Sequence, residues 1–183
     1  MDDDARLMQL VSRGDREAFR VILERYEKAV FNFFLRLTGS VEDSEDLAQE
    51  LFIRIYRSAP RYRPAASFRT FLYTIASNLA MSHLRKRKLR RSVSIEEMIE
   101  SGIDVVSQRY ADSPAATLAG REMERRYVKA LSRLPEEWRV AIELRVGMEL
   151  SYEEIAAAMG KSVSAVESIL YRARERIAGE MEG

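Results

Sequence analysis

Residues 151–177 read SYEEIAAAMGKSVSAVESILYRARERI, and the fold turns on how that stretch divides. Ser151 and Glu154 stand at the spacing of a capping box, where each side chain bonds the other residue's backbone N–H at the start of a helix. Gly160 supplies the stop, because glycine takes the left-handed conformation that ends helices. Ser164 and Glu167 repeat the spacing and open a second helix. Two short helices across a tight glycine turn make a helix-turn-helix candidate. Along the second, Val163, Val166, Leu170, Ala173 and Ile177 step by three or four and face inward. The opposite face offers Ser162, Ala165, Ser168, Ile169, Arg172 and Arg176. Small groups near the amino end permit close approach to base edges, and arginines further along suit phosphate. An ordinary helical hairpin shares the pattern, so on these residues alone packing and DNA reading stand about equal.

Outward from this stretch the helical period continues. From Asp15 to Leu37 the apolar positions Phe19, Ile22, Leu23, Tyr26, Val30, Phe33, Phe34 and Leu37 recur at helical steps, and Gly39 follows as a stop. Ser40 with Asp43 caps a second helix that turns Leu47, Leu51 and Ile55 inward and ends before Pro60. A third runs from about Ser67 through Phe68, Phe71, Leu72, Ile75, Ala76 and Leu79. Between Ser92 and Ala116 the period dissolves into SVSIEEMIESGIDVVSQRYADSPAA, which reads as a tether. Helices resume near Thr117, one reaching Leu131 and another opened by Pro135 at a favoured first-turn position. No strand-like alternation competes. The expected fold is all-α: two small helical domains, 1–92 and 117–183, joined by a flexible linker over 93–116, the second domain containing the helix-turn-helix.

Composition narrows the function. The 183 residues are 46% hydrophobic and 32% charged, the balance of a globular helical protein. There is no cysteine and one histidine, His83, so thiolate and histidine-cluster metal sites are excluded and no cofactor is expected. No apolar run approaches the roughly 20 residues that span a bilayer, and the start, MDDDARLMQ, is acidic where a secretory signal is basic; a cytoplasmic protein is expected. Charge is sorted along the chain. Residues 1–92 carry 18 basic and 12 acidic side chains, net +6; 93–120 carry 1 and 5, net −4; 121–183 carry 11 and 12, net −1. A basic first domain, an acidic tether and a near-neutral second domain follow.

The excess positive charge is concentrated in FRTFLYTIASNLAMSHLRKRKLRR, Phe68 to Arg91, where six of the last seven residues are Lys or Arg. Aromatics at one end and cations at the other suit a nucleic acid, whose bases stack and whose phosphates carry charge. Phe68 and Phe71 have core spacing; Tyr73 lies on another face and is the better surface candidate. His83 reads as a surface or capping group.

Taken in order, four segments resemble the bacterial RNA polymerase sigma factors of the extracytoplasmic-function (ECF) type. GDREAFRVILERYEKAVFNFFLRLTG is similar to the start of the family's region 2, DSEDLAQELFIRIY to its polymerase-binding helix, and FRTFLYTIASNLAMSHLRKRK to its promoter-melting and −10-reading segment. LPEEWRVAIELRVGMELSYEEIAAAMGKSVSAVESILYRARERI is similar to its region-4 helix-turn-helix. The resemblance implies a non-enzymatic initiation factor that binds the β′ and β subunits of core polymerase, directs it to promoters and assists opening. It assigns polymerase docking to Asp46, Gln49, Glu50, Arg54 and Arg57. It assigns −10 contacts to Tyr73, Asn78, Ser82, Arg85, Lys86, Arg87, Lys88, Arg90 and Arg91. It assigns −35 contacts to Lys161, Ser162, Ser164, Ala165, Ser168, Ile169, Arg172 and Arg176. It also implies an anti-sigma partner that occludes the polymerase-binding faces, with a membrane-anchored form of that partner among the expectations. Three positions depart from the pattern. Glu167 and Ile169 replace residues that are basic in many members, with Glu167 expected in the cap with Ser164 and Ile169 free to touch a thymine methyl. Ser82 replaces an Asp or Asn. The rival readings are a polymerase-independent helix-turn-helix regulator, which leaves 40–91 without a purpose, and a metal-dependent nucleic-acid hydrolase, for which the carboxylates form no convergent motif.

Overall fold

The computed structural model describes residues 3–90 and 118–182, and every regular element among them is helical. The expected linker and Arg91 lie outside the described residues. The first half holds α1 (Asp3–Ser12), α2 (Arg16–Thr38), α3 (Val41–Ser58) and α4 (Phe68–Arg90). The second holds α5 (Leu118–Ser132), α6 (Glu136–Ile142) with a π-helical continuation over Glu143–Gly147, α7 (Tyr152–Met159) and α8 (Val163–Glu182).

Local chemistry sets most of these limits. Asp15 accepts the Ala18 N–H at 3.1 Å to start α2, and Gly39, at φ 67°, ends it by returning its N–H to the Leu35 carbonyl. The Ser40 hydroxyl accepts from Asp43 N–H at the head of α3, and the Ser67 hydroxyl does the same for Thr70 before α4. At α7 the capping box is complete: Ser151 accepts the Glu154 N–H at 3.1 Å while Glu154 accepts the Ser151 N–H at 2.8 Å. Gly160 follows at φ 63°. Pro135 stands one place outside α6 as its cap residue rather than in its first turn.

Two expectations change here. Helix α1 has no counterpart in the sequence reading; its acidic first turn suits a helix amino end, and Ala5, Met8 and Val11 bury one side. It is tied down by Asp4, which is buried and accepts from Arg25 and, at 2.5 Å, from the Tyr26 hydroxyl. In the helix-turn-helix, α8 starts two residues earlier than expected. Ser162, not Ser164, accepts the N–H three residues on, that of Ala165, at 3.2 Å. Ser164 is therefore inside the helix, where its carbonyl accepts the Ser168 hydroxyl, and Glu167 is exposed rather than in a cap.

The two halves share one apolar core. In the first, Phe33, Phe34, Phe68 and Leu72 are fully buried, with edge-to-face contacts between Phe33 and Phe34 at 5.4 Å and Tyr26 and Phe68 at 5.5 Å. Helix α4 then packs against α6 and α7 of the second half. That packing places the basic helix beside the helix-turn-helix.

Candidate nucleic-acid and partner interfaces

Three faces bear the expected site residues. On α3, Asp46, Gln49, Arg54 and Arg57 are exposed and Glu50 is half-buried, so all five reach the surface of one helix. Glu50 accepts from Arg54 Nε at 2.7 Å, a routine surface pair. Beside them lies what charge spacing did not reveal: an apolar groove of 580 Å³ between α2 and α3. Phe19, Leu23, Phe52, Ile53 and Tyr56 line it, with Arg16 and Arg57 also on its wall. Ile53 is 38% and Tyr56 45% exposed, and Tyr56 meets Phe19 edge-on at 5.0 Å. The available signal was that both apolar residues fall off the inward stripe of Leu47, Leu51 and Ile55.

On α4, Asn78, Ser82, Arg85, Lys86 and Lys88 are exposed, as expected of a face that meets nucleic acid. Arg87 is turned inward and donates to the Thr38 carbonyl at the end of α2, where a cation suits the helix dipole. Arg90 closes the helix, its side chain outside the described residues. Lys88 reaches Glu136 of the second half at 3.4 Å. Tyr73 is a correction: it is 2% exposed rather than on the surface. Phe33 packs on one side at 5.8 Å, and the tyrosine hydroxyl donates to Met148 Sδ at 2.6 Å. Burial pushes its pKa up to about 12, against the pull of Arg69. His83 is half-buried, 3.5 Å from Asp43; burial holds its pKa below the ordinary value, with Asp43 pulling the other way.

On α8, Ser162, Ser164, Ser168, Arg172 and Arg176 are exposed and Ala165 is partly so. Lys161 pairs with Glu137 at 2.6 Å, and Arg172 lies over the Trp138 ring at 5.7 Å. Ile169 is the second correction. It is 7% exposed, because the buried face of α8 is wider than the Val166–Leu170–Ala173 stripe and takes in position 169. Tyr171, 67% exposed, was missed; it follows Ser164 and Ser168 by helical steps on the open face.

The comparisons follow these two halves. Sigma-70 region 2 matches residues 22–90 and sigma-70 region 4 matches 124–177. The RNA polymerase sigma-H factor of Pseudomonas aeruginosa is 34% identical over 96% of this chain and 92% of its own length. The ECF RNA polymerase sigma-E factors of Haemophilus influenzae and Escherichia coli K12 are each 35% identical over 98% of this chain, and over 95% and 94% of their own lengths. The chain belongs to the ECF sigma factors of RNA polymerase. As a sigma factor it serves promoter-specific initiation by RNA polymerase, and sigma factors as a class are non-catalytic initiation factors. Two solved structures share the sigma-factor fold seen here. CnrH, in complex with the cytosolic domain of CnrY, superposes with a TM-score of 0.74 at 23% identity over 99% of this chain and 98% of its own. Sigma factor RpoE of Bartonella quintana, in complex with the anti-sigma factor NepR, gives 0.67 at 24% identity over 90% and 96%. No helix among the described residues is long and apolar enough to cross a membrane.

Proposed function

We propose that the sigma factor divides its work by face. The α2–α3 face docks core polymerase, with Ile53 and Tyr56 as the apolar centre and Asp46, Gln49, Glu50, Arg54 and Arg57 as the polar rim. The open apolar groove carries this reading, since interface energy concentrates in buried aromatic and aliphatic anchors ringed by polar groups. Residues 1–92 form the domain that meets the −10 element and assists its opening, through Asn78, Ser82, Arg85, Lys86, Lys88, Arg90 and Arg91. Residues 117–183 read the −35 element through Lys161, Ser162, Ser164, Ala165, Ser168, Arg172 and Arg176, with Tyr171 beside them. Buried Tyr73 and Ile169 act by placing these helices. Nucleotide addition belongs to the polymerase, and the protein works in the cytoplasm.

The anti-sigma factor bound to RpoE in the solved complex supports a partner of that kind here, competing with core polymerase for the same faces. A membrane-anchored form of that partner would bring the sigma factor down with membranes on fractionation. Run-off transcription with core polymerase and a promoter library tests the main reading. The expected outcome is a transcript that needs this chain and a pair of enriched elements near −10 and −35. Transcription independent of the chain refutes it.

A further inference from the structure

Placing the amino end of α8 at Ser162 releases one carboxylate from the cap. Ser162 accepts the Ala165 N–H at 3.2 Å, so Glu167 sits in the second turn of the helix rather than at its head. It is exposed, and among the described residues its carboxylate has no hydrogen-bond or ion-pair partner. The residues three and four positions away are Val163, Ser164, Leu170 and Tyr171, none of them basic. Cations close by in the chain are engaged elsewhere: Lys161 pairs with Glu137 at 2.6 Å, and Arg172 lies over the Trp138 ring at 5.7 Å. Other glutamates of this half are held, Glu154 by the Ser151 N–H and Glu180 by Arg133.

Glu167 stands one helical step from Ser164 and another from Tyr171, toward the amino end of the open face. In a helix-turn-helix that end of the second helix enters the major groove. Ser164 and Ser168 flank the glutamate with short exposed side chains, so its carboxylate reaches past them.

An ionised carboxylate accepts hydrogen bonds and donates none. Phosphate repels it, so on a face that meets DNA it favours binding only where a base supplies a donor. The major groove offers two such donors, cytosine N4 and adenine N6. Adenine sets the acceptor N7 beside N6, where it opposes the second carboxylate oxygen, whereas cytosine has no acceptor of its own on that edge. Guanine, through N7 and O6, and thymine, through O4, present only acceptors. Cytosine is therefore the base that suits this side chain.

We propose that Glu167 selects a cytosine in the −35 element by accepting from its N4 amino group, which fixes the orientation of one G·C pair opposite the second turn of α8. The assignment rests on the reading of residues 117–183 as the −35 domain.

Holoenzyme assembled from the full chain and core polymerase can select promoters from a library randomised across the −35 element, comparing the parent with Glu167→Gln, Glu167→Ala and Glu175→Gln. The parent should enrich cytosine at one position by about tenfold or more over guanine or thymine. Glu167→Gln should exchange that cytosine for adenine, because an amide bonds N6 and N7 together. Glu167→Ala should leave the position unselective while the rest of the element stands. Glu175, also exposed, lies about 12 Å further along the helix, so Glu175→Gln removes the same charge and should keep the parent's element. A thermal melt establishes that each variant is folded, and Glu167→Gln decides the matter if Glu167→Ala is not. A parent element with no preferred cytosine, or a cytosine that the folded Glu167 variants keep, overturns the assignment while the −35 reading stands. If none of the four proteins enriches an element near −35, that reading falls and takes the assignment with it.

Discussion

The outer face of α3 and the inner face of α4 are built from the same kinds of residue and have opposite fates. On α4, Tyr73 and Arg69 are closed over by Met148, which takes a hydrogen bond from each, one on its sulfur and one on its carbonyl. On α3, Tyr56 and Ile53 with Arg57 stay open to solvent among the described residues. Aromatic and arginine together therefore do not say whether the partner is another part of the chain or another molecule. What separates the cases is register: the α4 pair faces a loop held by the π turn, and the α3 group faces outward from the bundle.

The largest expected effect breaks the comparison on the α3 side. Ile53→Asp with Tyr56→Ala should weaken core-polymerase binding by roughly 30-fold or more, on the scale of about 2 kcal/mol or above for a central interface anchor. Because both residues are more than a third exposed, the melting temperature should hardly move. A folded double variant with unchanged affinity in a pull-down titration would remove the groove from the docking face.

The next effect sharpens the contrast within α4 itself, between cations that face solvent and cations that serve the fold. Neutralising Arg85, Lys86 and Lys88 should flatten the salt dependence of holoenzyme–promoter binding by close to one log–log unit for each phosphate that no longer meets a cation. Arg87→Ala should instead lower thermal stability, since its guanidinium meets the Thr38 carbonyl. Equal salt slopes for the triple variant and the parent would separate this block from phosphate.

The smallest effect concerns the two turns of the helix-turn-helix. Ser151→Ala and Ser162→Ala should each cost about 1 kcal/mol, the usual worth of a helix cap, seen as a drop of several degrees in melting. Ser164→Ala should cost much less, because its hydroxyl caps no helix. Equal losses at 162 and 164 would restore the later start for α8.

Much of this architecture was legible because its causes are local. Gly39, Ser40, Ser151 and Gly160 act on backbone groups within four residues, and their roles follow from spacing alone. Features set at a distance were not legible. Helix α1 depends on Asp4 meeting Arg25 and Tyr26, more than 20 positions away. The hydroxyl of Tyr73 is claimed by Met148, 75 positions on, and Ile169 sinks because the buried face of α8 is wider than its strict stripe. Ser162 and Ser164 both precede a run of helix formers, and only the path of the chain leaving Gly160 chooses between them. Of the candidate sites, the open face of α8 could be named from periodicity, while the polar residues of α3 and α4 were named through the family resemblance. The groove holding Ile53 and Tyr56 needed the position of α2.

The bond between Tyr73 and Met148 also has a consequence in sulfur chemistry. Met148 is 6% exposed, whereas Met123 on α5 is 55% exposed. Peroxide converts an accessible thioether to a sulfoxide and spares a shielded one. After a brief pulse, peptide mass should show oxygen uptake at Met123 running well ahead of uptake at Met148. Met123 thus serves as the internal standard against which the shielding of Met148 is read.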